Sequence, residues 1–159
     1  MKMKTGQWKT YAFWILLAEA VGALSGWLTW DGMEFYKAEI IKPVLSPPSI
    51  VFPIVWVILF ALMGIGAARI RLSRPSREQK RSLWLFLAQL AFNFFWSILF
   101  FNLRYFGLAF LWLVALWILI LWMILSFRKV DRLSAWLQVP YLLWVAFAGY
   151  LNLGVWMLN

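Results

Sequence analysis

The sequence contains neither cysteine nor histidine. Without thiols it can form no disulfide framework, no thiolate metal site and no cysteine nucleophile. Without imidazole it lacks the commonest general base and the commonest side-chain ligand for zinc or haem iron. We therefore expect no metal site, no required cofactor and no catalytic triad.

Charged residues are scarce as well: they make up 13% of the 159 residues, whereas hydrophobic residues make up 65%. A soluble domain is about a quarter charged. The apolar runs are long and do not alternate with polar residues, which favours helices over a transmembrane barrel. Because one helix needs about 20 residues to cross the hydrocarbon core, the length suits five spans. We predict an all-α integral membrane protein, a five-transmembrane-helix bundle that forms a single domain over residues 1–159.

Five apolar segments define the expected spans, which are 11–30, 50–70, 83–101, 105–127 and 134–157. Asp31-Gly32 is expected to end the first helix. Residues 31–49, here called the lid segment, contain several prolines and are expected to form an ordered loop or a short helix over one membrane face. Pro140 is expected to kink the fifth span.

The first segment has a second interpretation. Ala18-Glu19-Ala20 resembles a signal-peptide cleavage site after a short apolar core. The apolar pattern continues beyond this point to full membrane length, which favours a retained helix.

Basic residues predict the orientation. Twelve of the fifteen Lys and Arg residues, Lys2 among them, lie in the N-terminal segment and in the second and fourth loops, and the other three are Lys37, Lys42 and Arg104. The positive-inside rule then places the N-terminus in the cytoplasm, and the lid segment and C-terminus outside, in a multi-pass protein of the cell membrane. This topology explains the net charge of +9 without nucleic acid, which we do not expect as a partner; contacts of the basic loops with anionic lipid are a secondary interpretation.

Tryptophan and amide side chains are predicted to line one cavity beneath the lid segment. Three tryptophans lie in the outer halves of different spans: Trp56, Trp96 and Trp144. Two polar stripes have i, i+4, i+8 spacing, which puts each on one helix face: Gln89, Asn93 and Ser97, and Trp144, Ala148 and Asn152. Such a set suits an apolar pocket with a few oriented donors. The alternative is that the amides bond across helix pairs and the indoles fill space.

Glu19 is the acidic residue well inside a predicted span. An ionisable group there is costly, so it counts as a functional candidate, here a possible proton-coupling group or salt-bridge partner. It could instead be protonated or lie near a water-filled cavity. Gly22 and Gly26 form a GxxxG pattern, which serves an intramolecular helix contact or a homodimer equally well.

Three parts of the chain resemble the translocator protein family, also called the peripheral benzodiazepine receptor or TspO/MBR family of tryptophan-rich sensory proteins. The matching segments are 35–36 with 42–48 and 52–56; 89–101; and 135–148 with 151–152 and Asn159. The resemblance implies a five-helix bundle, often dimeric, whose cavity binds porphyrins, benzodiazepine-type and isoquinoline ligands and, in animal members, cholesterol. The family's pocket positions that match are Tyr36, Pro47, Trp56, Gln89, Asn93, Trp144, Phe147 and Ala148.

Some positions depart from the family pattern. Leu45 stands where the family usually has tryptophan, so a stacking or photochemical role there is not expected. Leu153 and Met157 stand where animal members have Tyr and Arg in a cholesterol-type motif, and such motifs are weak evidence in any case. The resemblance therefore favours a bacterial or archaeal member that binds tetrapyrroles.

The predicted function is a membrane receptor that senses, sequesters or transports porphyrins and similar planar hydrophobic ligands. A porphyrin is an aromatic disc with carboxylates at one edge, so indoles can supply contact area while Asn, Gln and Tyr supply donors. Without a usual axial ligand, metal-free porphyrin such as protoporphyrin IX should bind at least as well as haem. The alternatives are a light-dependent porphyrin-degrading enzyme that uses Trp56 and Trp144, and a secondary transporter coupled to protons through Glu19.

Overall fold

A computed structural model describes residues 4–159, so Lys2 lies outside the described residues. The helices are α1 Gln7–Leu28, α2 Trp30–Glu39, α3 Val51–Leu72, α4 Arg77–Ser97 with a π-helical turn Ile98–Asn102, α5 Phe106–Val130, α6 Arg132–Leu137 and α7 Val139–Leu158. Five segments are long and apolar enough to cross a membrane: α1, α3, α4 with its π turn, α5, and α6 with α7. The predicted all-α membrane protein with five spans is confirmed.

The spans pack as a bundle in which α1 contacts α3, α4 contacts α5, and α5 contacts α7. The centre of the bundle is apolar and includes Met63, Phe86, Ile120 and Met123, none of which has exposed surface. Large apolar side chains such as Leu16, Ile58, Leu111 and Leu143 are more than half exposed, as expected of surfaces that face lipid tails.

The expected helix end at Asp31-Gly32 is wrong. Helix α1 ends at Leu28, and the chain enters α2 after Thr29, whose hydroxyl donates to the Ser25 carbonyl at 2.7 Å. Asp31 lies in the first turn of α2, where a carboxylate complements the helix dipole. Gly32 is buried inside α2 and packs so closely on the π-helical turn that a Cβ at this position would lie 2.6 Å from the Phe101 carbonyl oxygen. This glycine permits close packing and does not end a helix.

The third span begins at Arg77, six residues before the predicted start. Ser76 caps it by accepting a hydrogen bond from the Gln79 backbone N–H at 3.0 Å. The Gln79 side chain also donates to the carbonyls of Ile70, Arg71 and Ser73 at the end of α3. Side-chain caps therefore shorten the basic loop between α3 and α4.

Pro140 does interrupt the fifth span, but the helix breaks and restarts rather than bending. Gln138 separates α6 from α7, and Pro140 occupies the first turn of α7, where its missing N–H costs little. The Gln138 amide group donates to the carbonyls of Leu62 and Ser134, at 3.2 and 3.4 Å, and so occupies backbone acceptors at the break.

The lid segment, residues 31–49, includes nearly all of α2 and most of the loop that follows it. That loop, residues 40–50, is here called the proline-rich loop. The far end of α7 holds this loop in place. The Asn159 amide pairs with both backbone groups of Ile41, at 2.8 and 3.0 Å, and the Tyr150 hydroxyl donates to the Val44 carbonyl at 2.6 Å. Pro43 packs closely on Gly154: a Cβ added to Gly154 would lie 2.5 Å from the Pro43 ring.

Candidate ligand-binding cavity

A cavity of about 810 Å³ lies beneath the lid segment. Its wall is built from α1, α2, the proline-rich loop, α3, α4 and α7, and none of its lining residues in the described chain comes from α5 or α6. Ten candidate residues selected from the sequence line it: Glu19, Tyr36, Pro47, Trp56, Asn93, Trp96, Ser97, Trp144, Ala148 and Asn152. The end bounded by Lys37, Lys42 and Pro47 is here called the mouth.

Gln89 and Phe147 are not among the residues that line this cavity. Gln89 is fully buried one helical turn from Asn93, where it bonds to the hydroxyl of Tyr141. The partly buried Phe147 ring lies 5.6 Å from the ring of Trp144, which does line the cavity. Both residues therefore support wall residues, and a direct contact with a ligand stays a prediction for them.

A buried hydrogen-bond chain connects α4 to α7 at the base of the cavity. The Asn93 amide group donates to the Tyr141 hydroxyl at 2.8 Å, and that hydroxyl donates to Gln89 Oε1 at 2.7 Å. Gln89 Nε2 in turn lies 3.8 Å from the sulfur of Met63 on α3. On this polar stripe of α4, Gln89 therefore serves in hydrogen bonding between helices, which was the alternative to lining the cavity. Asn93 does both: it bonds to α7 and lines the cavity.

Trp96 and Asn152 form a second link between the same helices. The Trp96 indole donates to Asn152 Oδ1 at 3.0 Å, and the Asn152 amide group donates to the Phe106 carbonyl at 2.8 Å. The Trp96 ring stacks on Phe100 at 5.1 Å between centroids. These polar atoms are thus engaged within the protein, and the indole presents mainly its apolar surface.

Sequence reasoning missed Tyr141 and the phenylalanines that complete the wall: Phe52, Phe60, Phe100 and Phe101. Phe52 lies 5.9 Å from Trp144, and Phe60 lies 5.5 Å from Trp56. A tyrosine in the middle of an apolar span was a usable signal, because a buried hydroxyl needs a partner. The phenylalanines carried no such signal among the many apolar residues of the spans.

Trp144 differs from Trp96 in its polar atom. Its Nε1 is buried and has no hydrogen-bond partner among residues 4–159. A phenylalanine at this position would therefore remove aromatic area from the wall without breaking a hydrogen bond.

Glu19 lies on the cavity wall, half-buried, and has no salt bridge among residues 4–159. Gly22 and Gly26, the two glycines of the GxxxG pattern, have different surroundings: a Cβ on Gly22 would lie 2.4 Å from the Phe60 ring, whereas one on Gly26 would meet nothing within 4 Å. The pattern therefore serves an intramolecular contact at Gly22 and leaves open space at Gly26, which lines the cavity.

Tyr36 of α2 contributes a hydroxyl near the mouth. Burial raises the pKa of this hydroxyl above its ordinary value, so the group is neutral at physiological pH and retains its proton. It is therefore able to donate a hydrogen bond to a ligand.

Residues 14–157 match the sequence profile of the TspO/MBR family. The chain belongs to the TspO/MBR family. Among its curated relatives, the tryptophan-rich protein TspO of Chlorobaculum tepidum is 36% identical over 94% of this chain and 96% of its own length. The protein of the same name from Archaeoglobus fulgidus is 32% identical over 91% of this chain and 94% of its own length. The translocator protein of Bos taurus is 33% identical over 81% of this chain and 77% of its own length.

Membership of the TspO/MBR family confirms the resemblance seen in the sequence. It agrees with a membrane-embedded bundle of several helices, and bacterial and archaeal relatives are similar over nearly the whole chain. Of the 159 residues, 13 are tryptophan, in keeping with the names of these relatives.

Proposed function

We propose that this protein is a membrane receptor that binds porphyrins and similar planar hydrophobic molecules in the cavity beneath its lid segment. The observation that carries the proposal is the convergence of Trp56, Trp96 and Trp144 from three helices on one cavity of about 810 Å³. Sites for small molecules are typically about 300–1,000 Å³, mostly apolar, with a few polar groups that orient the ligand.

The composition of the wall supports a flat aromatic guest. Indole and phenyl rings bury large areas and favour stacked or edge-to-face contacts. The polar groups at the wall are neutral amides and hydroxyls, apart from three charged residues, Glu19, Lys37 and Lys42. Because the sequence has neither His nor Cys, the cavity lacks the two commonest axial ligands of haem iron, so metal-free protoporphyrin IX should bind at least as well as haem.

The proposed orientation follows from the distribution of basic residues. Arg69, Arg71, Arg128 and Lys129 lie in the last turns of α3 and α5, at the end of the bundle opposite the lid segment. The positive-inside rule favours the cytoplasm for that end. The mouth of the cavity would then face the extracytoplasmic side.

The direct test is a titration of purified protein with protoporphyrin IX, followed by quenching of tryptophan fluorescence. Trp144→Phe should weaken binding several-fold and leave the helical content unchanged, because the indole N–H of Trp144 has no partner to lose. Trp122→Phe, on α5 and more than half exposed, is the control and should bind like the wild type. Equal affinity of the Trp144 variant and the wild type would count against this cavity.

A photochemical activity is the second candidate, and it is favoured by the presence of Trp56 and Trp144 in the same wall. A porphyrin bound between them would have two oxidisable indoles as neighbours. Light-dependent bleaching of bound porphyrin that is lost in the double variant Trp56→Phe and Trp144→Phe, at saturating ligand, would favour degradation over passive binding. Bleaching at the wild-type rate in that variant would show that the activity does not depend on these two residues.

Proton-coupled transport is favoured only by the position of Glu19 on the cavity wall. Uptake of porphyrin into proteoliposomes should then respond to a pH gradient, and Glu19→Gln should abolish that response. Uptake that ignores both the gradient and the substitution would rule out coupling through this residue.

A further inference from the structure

The charged residues of the cavity wall are separated by depth. Lys37, in the last turn of α2, and Lys42, in the proline-rich loop, lie at the mouth. Glu19 lies on α1, ten residues before Thr29, the residue after which the chain enters α2. At 1.5 Å per residue of helix, this places Glu19 about 15 Å along α1 from the start of α2. The cavity is therefore positively charged at its mouth and acidic deep inside.

Lys42 is held in a fixed position with its charge uncompensated. Its ammonium group donates to the carbonyls of Lys37 and Ile40, at 3.2 and 3.1 Å, and lies 4.9 Å from the centre of the Tyr36 ring. It forms no salt bridge among residues 4–159. Since an ammonium group has three N–H donors, one remains for another acceptor.

Lys37 has an acidic partner, but a weak one. Its ammonium group lies 3.0 Å from Glu34 Oε1, three residues earlier on α2, and both side chains are about half exposed, at 48% and 53%. Exposed ion pairs contribute about 0–1 kcal/mol, so a ligand carboxylate can replace Glu34 at little cost.

The neutral donors at the base of the cavity are engaged within the protein. Asn93 donates to the Tyr141 hydroxyl, Trp96 donates to Asn152, and Asn152 donates to the Phe106 carbonyl. A carboxylate buried at that depth would also lie closer to Glu19. The base of the cavity therefore suits an uncharged part of a ligand, and the mouth suits an anionic part.

We propose that Lys37 and Lys42 are the residues that bind the carboxylates of the ligand and so set the direction in which it enters the cavity. This inference rests on the proposed function and adds these two binding residues and the orientation of the ligand. The apolar face of the disc enters among the tryptophans, and the acidic edge stays at the mouth beside α2 and the proline-rich loop.

The test compares two probes with the same macrocycle, protoporphyrin IX and its uncharged dimethyl ester, by titration of the full-length protein in a neutral detergent. Lys42→Gln and Lys37→Gln should each weaken binding of the diacid about two- to fivefold and leave the affinity for the ester unchanged, as expected for loss of one partly exposed charge pair. Lys129→Gln, in the last turn of α5 at the other end of the bundle, is the matched control and should change neither.

Two further measurements sharpen the result. Glu34→Gln should strengthen binding of the diacid about two- to threefold, because it frees Lys37 from its partner and removes a negative charge that repels the carboxylates of the diacid. Raising the ionic strength from about 0.01 to about 0.5 M should weaken the diacid and leave the ester unaffected, since salt screens exposed charges.

The outcomes separate this inference from the proposed function. If the lysine variants leave the ratio of the two affinities at its wild-type value, the lysines do not bind carboxylates and the inference is overturned. If Lys42→Gln weakens the binding of both probes equally, Lys42 serves only to position the loop, and the inference is again overturned. If the wild type binds neither probe, the proposed function itself fails.

Discussion

Individual residues in the membrane core are constrained by hydrogen bonding more than by size. Tyr141 is buried, and its hydroxyl both donates to Gln89 and accepts from Asn93. Lipid tails offer no replacement partner for any of these groups. Tyr141 therefore sets the positions of two amides that sequence reasoning had assigned directly to the ligand.

We predict that Tyr141→Phe destabilises the protein by about 1–3 kcal/mol, because buried polar groups of Gln89 and Asn93 lose a partner. At this chain length each kcal/mol lowers the melting temperature by about 2–4 °C. The measurement is thermal unfolding in detergent, with Tyr105→Phe as the control, since Tyr105 is more than half exposed. If the Tyr141 variant melts at the same temperature as the control, the hydrogen-bond chain through Tyr141 contributes nothing to stability.

At the scale of helices, side chains decide where elements begin and end. Ser76 and Gln79 extend α4 towards the basic loop, and Asp131 caps α6 by accepting from the Ser134 backbone N–H at 3.1 Å. Hydropathy found the five spans because it sums over about 20 residues, but it could not find these ends. Nor could it find α2, which is mostly exposed and packs through Gly32 on the π-helical turn after α4.

Asp131 also joins two spans, since Arg69 of α3 donates to its carboxylate at 2.7 and 3.2 Å. Burial alone would raise the pKa of the Asp131 carboxyl, but the hydrogen bonds from Arg69 and Ser134 outweigh it and hold the pKa below its ordinary value. A lowered pKa means that the ionised form stabilises the fold above the pKa of the unfolded chain. This contribution is lost as the pH falls through the lowered pKa.

We therefore predict that Asp131→Asn lowers stability at pH 7 by about 1 kcal/mol, because asparagine keeps the helix cap but loses the charge. The difference from the wild type should shrink as the pH falls into the acid range. Melting curves at a series of pH values measure this, and Glu39→Gln, at the exposed end of α2, serves as the control. A difference that stays constant with pH would contradict the role given to the ionised carboxylate.

The proline-rich loop depends on α7 for its position. We predict that Asn159→Ala accelerates hydrogen exchange at the amide of Ile41, because this N–H donates to Asn159 Oδ1. Exchange within α5 should not change. Asn102→Ala, which removes a bond to the Leu28 carbonyl at the end of α1, is the matched control. Unaltered exchange at Ile41 would show that the loop is held by its other contacts alone.

At the scale of the whole molecule, the cavity exists because several helices and the lid segment enclose space that the core does not fill. The sequence predicted Trp56, Trp96, Trp144 and Asn93 as wall residues because large aromatic and amide side chains are conspicuous in apolar spans. It could not separate wall residues from those behind the wall, as Gln89 and Phe147 illustrate. That distinction depends on the rotation of each helix about its axis, and tertiary packing sets this rotation.

Ligand binding in this cavity is tested most directly by filling the cavity. Gly26 lines it, and a side chain added there meets no atom within 4 Å of its Cβ, so Gly26→Trp should fold normally and occupy the space of a ligand. Ala20→Trp places the same ring on an exposed position of α1 and is the control. The measurement is the affinity for protoporphyrin IX from its absorbance spectrum. We expect Gly26→Trp to lose affinity about tenfold or more, equal to about 1.4 kcal/mol, and Ala20→Trp to lose none. Wild-type affinity in a folded Gly26→Trp protein would contradict ligand binding in this cavity.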